Sequence, residues 1–80
     1  MKKNSQKKAM LKPEVGDYYQ LFKERGLDYG NIIKILRIEG NVAFYKTLNS
    51  WSDEFRSPWD FVKYPDGVDR KLASLEIELL

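Results

Sequence analysis

The chain of 80 residues contains no cysteine and no histidine. These absences exclude a disulfide framework, a zinc site ligated by cysteine or histidine, a thiolate nucleophile and an imidazole base. The longest apolar run, residues 42–45, has four residues, whereas a membrane helix needs about 20. No apolar segment follows Lys2 and Lys3 as it would in a secretion signal. We therefore expect a cytoplasmic protein without a cofactor, a bound metal ion or a membrane contact.

Positive charge is concentrated at the start of the chain, although the net charge is only +2. The first twelve residues contain no acidic residue and five lysines, namely Lys2, Lys3, Lys7, Lys8 and Lys12. The other nine basic and twelve acidic residues give residues 13–80 a charge of −3. Residues 1–12 have too little apolar content to offset their ordering entropy, so we predict a disordered basic tail ahead of one domain, 13–80. The tail is either a solubilising extension or an arm for a polyanion such as nucleic acid.

The domain draws on eleven aromatic residues in the chain. Large rings bury much surface per residue, which suits a small core without disulfides. Residues 18–23 are rich in aromatic β-formers and predict a first strand. Residues 31–38 and 42–48 are two further β-rich runs, and residues 39–41 between them include Gly40. This pattern predicts a hairpin with a three-residue loop.

The first hairpin strand is largely apolar on both faces. Strict alternation places Lys34 on one face and Arg37 on the other, each among isoleucine or leucine residues. A sheet with one solvated face would alternate cleanly between apolar and polar residues. We therefore predict a mainly β fold, a closed or strongly curled barrel whose outside is covered by a helix or by a second copy of the chain in a homodimer.

Two later segments carry helix signals. Ser57, Pro58 and Asp60 are typical of a helix start, because serine caps free amides, proline suits the first position and the acid can complete a capping box. We predict one short helix over residues 58–64. Residues 73–79 alternate as a strand would, although leucines spaced by three and four also fit a helix. We favour the strand, because a barrel of this size needs a closing strand.

The order of these features resembles that of known small domains. Gly16-Asp17-Tyr18-Tyr19, an isoleucine-rich strand with an aromatic hairpin partner, and Phe-Arg-Ser-Pro-Trp-Asp-Phe-Val at residues 55–62 resemble small SH3-like barrel domains. More narrowly, they are similar to short bacterial and phage domains of unknown function. The resemblance covers about residues 15–65 and implies an SH3-like barrel rather than an activity. By analogy, it suggests a phage or mobile-element protein that modulates or inhibits a host protein.

Residues suited to catalysis are few. Asp53 and Glu54 are adjacent and would point apart, and Asp66 and Asp69 fit a turn better than a metal site. The serines have no histidine to activate them, and the glycine pair Gly26 and Gly30 has no following lysine as a phosphate loop would. We therefore do not expect an enzyme.

Binding is the remaining class of function, and two hypotheses stay open. In the first, Tyr29 and Trp51, which are flanked by polar or turn residues, anchor another protein. In the second, the domain binds nucleic acid through the lysine tail and a basic stripe on the hairpin. The residues of the second hypothesis are Lys2, Lys3, Lys7, Lys8, Lys12, Lys34, Arg37 and Lys46. Glu24, Asp28 and Glu39 interrupt that stripe, and the charge of −3 disfavours it, so we prefer the first hypothesis.

Overall fold

A computed structural model describes residues 12–51 and 57–80. The predicted disordered tail, residues 1–12, lies outside these described residues except for Lys12, and the acidic pair Asp53 and Glu54 lies outside them as well. The described elements are strands β1 (Tyr18–Gln20), β2 (Ile32–Glu39), β3 (Val42–Thr47), β4 (Ser57–Asp60) and β5 (Arg70–Lys71), the helix α1 (Ser74–Glu78), and 3-10 turns at Lys23–Arg25 and Tyr29–Asn31. The prediction of a mainly β fold with one short α-helix is confirmed for this part of the chain.

The strands form one antiparallel sheet in the order β4-β3-β2-β1-β5. The sheet is curled into a half-barrel, with β4 and β5 at its two edges. Within the described residues, no helix has the length and apolar character needed to cross a membrane.

The predicted hairpin is present, and its loop is one residue shorter than expected. Glu39 pairs with Val42, so only Gly40 and Asn41 connect β2 to β3. Gly40 has a φ of 61°, and glycine at the first loop position is typical of a type II′ turn. This turn matches the twist of the flanking strands and thereby sets their register.

The core lies on one face of the sheet and consists of Tyr19, Ile33, Ile35, Ala43, Trp59 and Phe61. The rings of Tyr19 and Trp59 meet edge to face with their centroids 5.6 Å apart, and Phe61 meets Trp59 in the same way at 5.9 Å. Ile32 and Ile33 point to opposite faces, yet both are fully buried. The prediction that both faces of β2 are covered is therefore confirmed at the start of that strand.

The predicted helix over residues 58–64 is wrong. Residues 57–60 form the edge strand β4, in which Trp59 pairs with Ala43 of β3 and its indole enters the core. Proline is tolerated in an edge strand, because one side of that strand does not need to donate hydrogen bonds. Asp60 ends the strand through its side chain, which accepts hydrogen bonds from the amides of Val62 and Lys63 at 3.1 and 2.9 Å. The segment that carries the helix-start signal therefore forms a strand followed by a turn.

The predicted strand over residues 73–79 is also wrong, because residues 74–78 form α1. The last strand, β5, comes earlier and has only two residues, Arg70 and Lys71, which pair with β1 at the edge of the sheet. Glu76 stabilises the start of α1, because its carboxylate accepts from the amide of Ala73 at 2.8 Å and from both terminal nitrogens of Arg70 at 2.7 and 2.5 Å. These bonds lower the pKa of Glu76 to about 2. They favour a helix over the alternating strand.

The first strand is shorter than the predicted 18–23, because Asn31 bends the chain after Gln20. The fully buried side chain of Asn31 donates to the carbonyl groups of Phe22 and Gly26 at 3.0 and 2.9 Å and accepts from the amide of Phe22 at 2.8 Å. A buried amide that replaces three backbone partners can turn the chain where strand pairing would otherwise continue.

Candidate protein-binding surface

The antiparallel topology brings Tyr29 and Trp51 to the same end of the sheet. The segment after β1 and the segment after β3 both emerge beside the start of β2. The two segments adjoin there, since a Cβ on Gly30 would lie 3.4 Å from the side-chain nitrogen of Asn49. Tyr29 therefore precedes, and Trp51 follows, a point of close approach between two loops.

This end of the sheet exposes large apolar side chains. Trp51 is 99% exposed and Tyr29 is 48% exposed. Sequence reasoning selected these two residues and missed three exposed neighbours on the connected segments, Phe22, Leu27 and Leu79. Their signal was weak, because isolated apolar residues in loops are common. We call the set of exposed residues Phe22, Leu27, Tyr29, Trp51 and Leu79 the loop end.

The loops of this surface are held by hydrogen bonds within the described residues. The side chain of Asp28 accepts from the amide of Gly30 at 2.8 Å, and its carbonyl group accepts from Asn31 at 2.7 Å. On the other loop, the hydroxyl of Thr47 donates to Asn49 at 2.7 Å. A loop backbone fixed in this way loses less conformational entropy when it binds a partner.

The C-terminus of the chain is joined to the loop end. The hydroxyl of Tyr29 donates a hydrogen bond to the backbone carbonyl group of Leu80. This bond links the 3-10 turn at Tyr29–Asn31 to the segment after α1. The hydroxyl of Tyr29 is thus hydrogen-bonded, while about half of the residue's surface faces solvent.

The basic residues of the hairpin lie together on the sheet face opposite the core. Lys34 and Lys46 are direct cross-strand partners. The prediction that Arg37 lies on the other face from Lys34 is wrong, because a β-bulge between Ile35 and Arg37 shifts the register by one residue. Arg37 thus pairs with Phe44 and lies 4.7 Å from its ring centre, on the face away from the core.

Tyr18 belongs to the same face, because it pairs with Lys34 from the other side. We call the set Tyr18, Lys34, Arg37, Phe44 and Lys46 the outer patch. Of the five tail lysines, Lys12 is described and exposed, while Lys2, Lys3, Lys7 and Lys8 lie outside the described residues. The structure therefore brings together the three hairpin cations of the nucleic-acid hypothesis, and it separates them from Tyr29 and Trp51, which occupy the end of the sheet.

The hydroxyl of Tyr19 is a titratable group in the core of the sheet. Burial raises the pKa of Tyr19 to about 12, and the neighbouring carboxylate of Asp17, 3.4 Å from the hydroxyl, adds to this shift. Such a phenol remains protonated near neutral pH. Among the described residues, no three metal-ligating carboxylates cluster closely enough to hold an ion.

The structure also contains an apolar groove that the sequence did not predict. It has a volume of about 460 Å³ and lies beside the edge strand β4, with Tyr45, Pro58, Trp59 and Tyr64 among its lining residues. Gly67 closes one side of it, because a Cβ there would lie 2.5 Å from the indole nitrogen of Trp59. That nitrogen donates to the carbonyl group of Tyr64 at 2.8 Å, so the groove wall is fixed by the core itself.

Comparison with models of protein families gave no match, and comparisons with curated proteins and with solved structures gave none either.

Proposed function

We propose that the chain is a non-catalytic binding module that docks on another protein through the loop end. The observation that supports this proposal most is the almost complete exposure of Trp51 at the same end of the sheet as the half-exposed Tyr29. Tryptophan and tyrosine contribute a large share of the binding energy in protein interfaces, because each buries a large rigid surface and can also form a hydrogen bond.

The surroundings of the anchors fit an interface of this kind. Lys23, Glu24, Arg25 and Asp28 are exposed next to the apolar residues and carry both signs of charge. Charged groups at the rim of an interface steer the approach of a partner and select among partners, while the apolar centre supplies most of the affinity. The loop end has both components on hydrogen-bonded loops.

We further propose that the half-barrel is of the SH3-like kind and that the protein acts in the cytoplasm by modulating a host protein. The five antiparallel strands and the tight hairpin support the fold proposal. The role of modulator follows from the sequence resemblance alone.

Photocrosslinking in the cells that express the chain tests the docking proposal. A photoreactive amino acid replaces Tyr29 or Trp51 in the full chain, and in a matched control it replaces Val15, which is 62% exposed away from the loop end. We expect discrete protein adducts from positions 29 and 51 and none of the same mass from position 15. An adduct of twice the monomer mass would identify a second copy of the chain as the partner.

Two outcomes of the crosslinking experiment would contradict the docking proposal. Equal labelling from all three positions would mean that the chain collides with proteins without a defined site. No protein adduct from positions 29 and 51, with the chain folded, would reject the loop end as a docking surface.

A further inference from the structure

The outer patch arranges cations and aromatic rings in two rows across the strands. In the first row, Lys34 lies between Tyr18 and Lys46. In the second row, Arg37 lies beside Phe44. Directly opposite side chains in a sheet are about 5 Å apart, and two residues along a strand span about 7 Å. The five side chains therefore form one continuous surface on three neighbouring strands.

Positive charge is concentrated on this surface, although residues 13–80 carry a charge of −3 as a whole. Lys34 and Lys46 are placed directly opposite each other. An anion bound across this pair is attracted by both ammonium groups. The third cation, Arg37, pairs with Glu39 at 3.0 Å, and both side chains are more than half exposed. An exposed pair of this kind is weak, so a phosphate can compete for the guanidinium.

The rings on this surface lie beside the cations. The ammonium group of Lys34 is 5.8 Å from the ring centre of Tyr18. The guanidinium group of Arg37 is 4.7 Å from the ring centre of Phe44. Basic groups that hold phosphates next to rings or guanidinium planes that stack on bases are the combination that binds unpaired nucleotides. A duplex keeps its base faces stacked inside the helix, so these rings favour single strands over duplexes.

Lys12 does not belong to this surface. Lys12 and Pro13 line a groove with Ile38 and Phe61, and these two residues pack in or against the core. The described start of the chain therefore lies on the core side of the sheet, opposite the outer patch.

We propose that the outer patch binds single-stranded nucleic acid. Its three cations contact phosphates, and its two rings contact bases. The site is separate from the loop end and does not depend on the proposed protein docking.

Fluorescence anisotropy with the full chain tests this proposal. The probes are labelled thymidine and uridine oligonucleotides of about a dozen nucleotides and a DNA duplex of equal length, each titrated between about 50 and 200 mM salt. We expect at least tenfold tighter binding of one or both single strands than of the duplex. The comparison of thymidine with uridine shows whether the ligand is DNA or RNA.

A pair of double variants isolates the outer patch from total charge. Lys34→Gln with Lys46→Gln removes two cations from the patch, and Lys23→Gln with Lys63→Gln removes two exposed cations elsewhere. We expect the first variant to weaken single-strand binding at least tenfold and to reduce the slope of log K against log salt by about 1.4, and the second to change affinity less than twofold. Equal losses in both variants would show that charge alone drives binding and would overturn the proposed site.

Phe44→Leu tests the ring contribution and retains an apolar side chain. We expect it to weaken single-strand binding at least threefold and to leave the binding of inorganic polyphosphate unchanged. If this variant does not fold, the paired lysine variants still decide the proposal. Equal affinity of the wild-type chain for duplex and single strands, or no binding at low salt, would reject the outer patch as a single-strand site.

Discussion

The loop end and the outer patch expose aromatic residues in two different ways. At the loop end, Trp51 and Tyr29 lie in connections between strands and take no part in strand pairing. On the outer patch, Tyr18 and Phe44 are half-buried members of the sheet, and the pairing of β1, β2 and β3 fixes their positions. The difference suggests that loop anchors can be removed without loss of stability, whereas patch residues combine binding with folding.

The two tryptophans differ most in exposure and are therefore expected to differ most in their contribution to stability. Trp59 is 6% exposed and contacts Tyr19 and Phe61 in the core, whereas Trp51 is 99% exposed. We expect Trp59→Ala to lower the free energy of unfolding by about 3–5 kcal/mol, which unfolds much of a small domain. Trp51→Ala should change it by less than about 0.5 kcal/mol. Denaturant melts followed by circular dichroism measure both values, and a large loss for Trp51→Ala would place Trp51 in the core and remove its role as an anchor.

Asn31 is the residue that couples the loop end to the sheet. Its replacement by alanine leaves the carbonyl groups of Phe22 and Gly26 and one amide without their partners. We expect Asn31→Ala to cost about 2–3 kcal/mol and to abolish crosslinking from position 29. Oligonucleotide binding by the folded fraction should persist. Asn49→Ala, an exposed change nearby, serves as control and should cost less than about 1 kcal/mol. Unchanged hydrogen exchange across residues 21–30 in Asn31→Ala would contradict this role.

The smallest expected effect concerns pH and the attachment of α1. Hydrogen bonds from Arg70 and Ala73 lower the pKa of Glu76 from 4.5 to about 2. A carboxylate with a lowered pKa stabilises the folded state above its unfolded pKa, and this contribution is lost as pH falls from about 4.5 to about 2. Glu76→Gln should therefore have a lower Tm than the wild type at pH 7, and the difference should shrink towards pH 2.

Glu78→Gln is the matched control, because it removes the same charge from the same helix. Its Tm should follow that of the wild type at every pH. Thermal melts at pH 7, 4 and 2.5 measure the three chains. A constant difference between Glu76→Gln and the wild type across this range would show that the ion pair with Arg70 does not stabilise α1.

The successes and failures of sequence reasoning have identifiable causes. The hairpin was predictable because Gly40 and two β-rich runs encode it locally. The pattern around Ser57, Pro58 and Asp60 was misleading, since a capping serine and aspartate also suit a strand that ends in a turn. Residues 73–79 satisfied strand and helix periods equally, and the bonds of Glu76 to Arg70, six residues earlier, decided between them.

The candidate sites also combine features that local sequence predicts with features that it does not. Tyr29 and Trp51 could be found from their polar and turn-rich neighbours, because exposure of a loop residue depends mainly on local sequence. The side of the sheet that carries Arg37 could not be found, because one inserted residue in a bulge reverses the alternation on which the prediction rested. Neither the closeness of the two loops nor the link between Tyr29 and Leu80 has a sequence signal.

The sequence by itself determined what this protein lacks and how its charge is distributed along the chain. Without cysteine and histidine it has no thiol or imidazole chemistry, and its lysines are divided unevenly between the tail and the domain. The tertiary structure decided which residues share a surface, because that depends on strand register, on the bulge in β2 and on hydrogen bonds between residues distant in the chain. Local preferences select turns and strands, and only long-range pairing fixes which side chains meet.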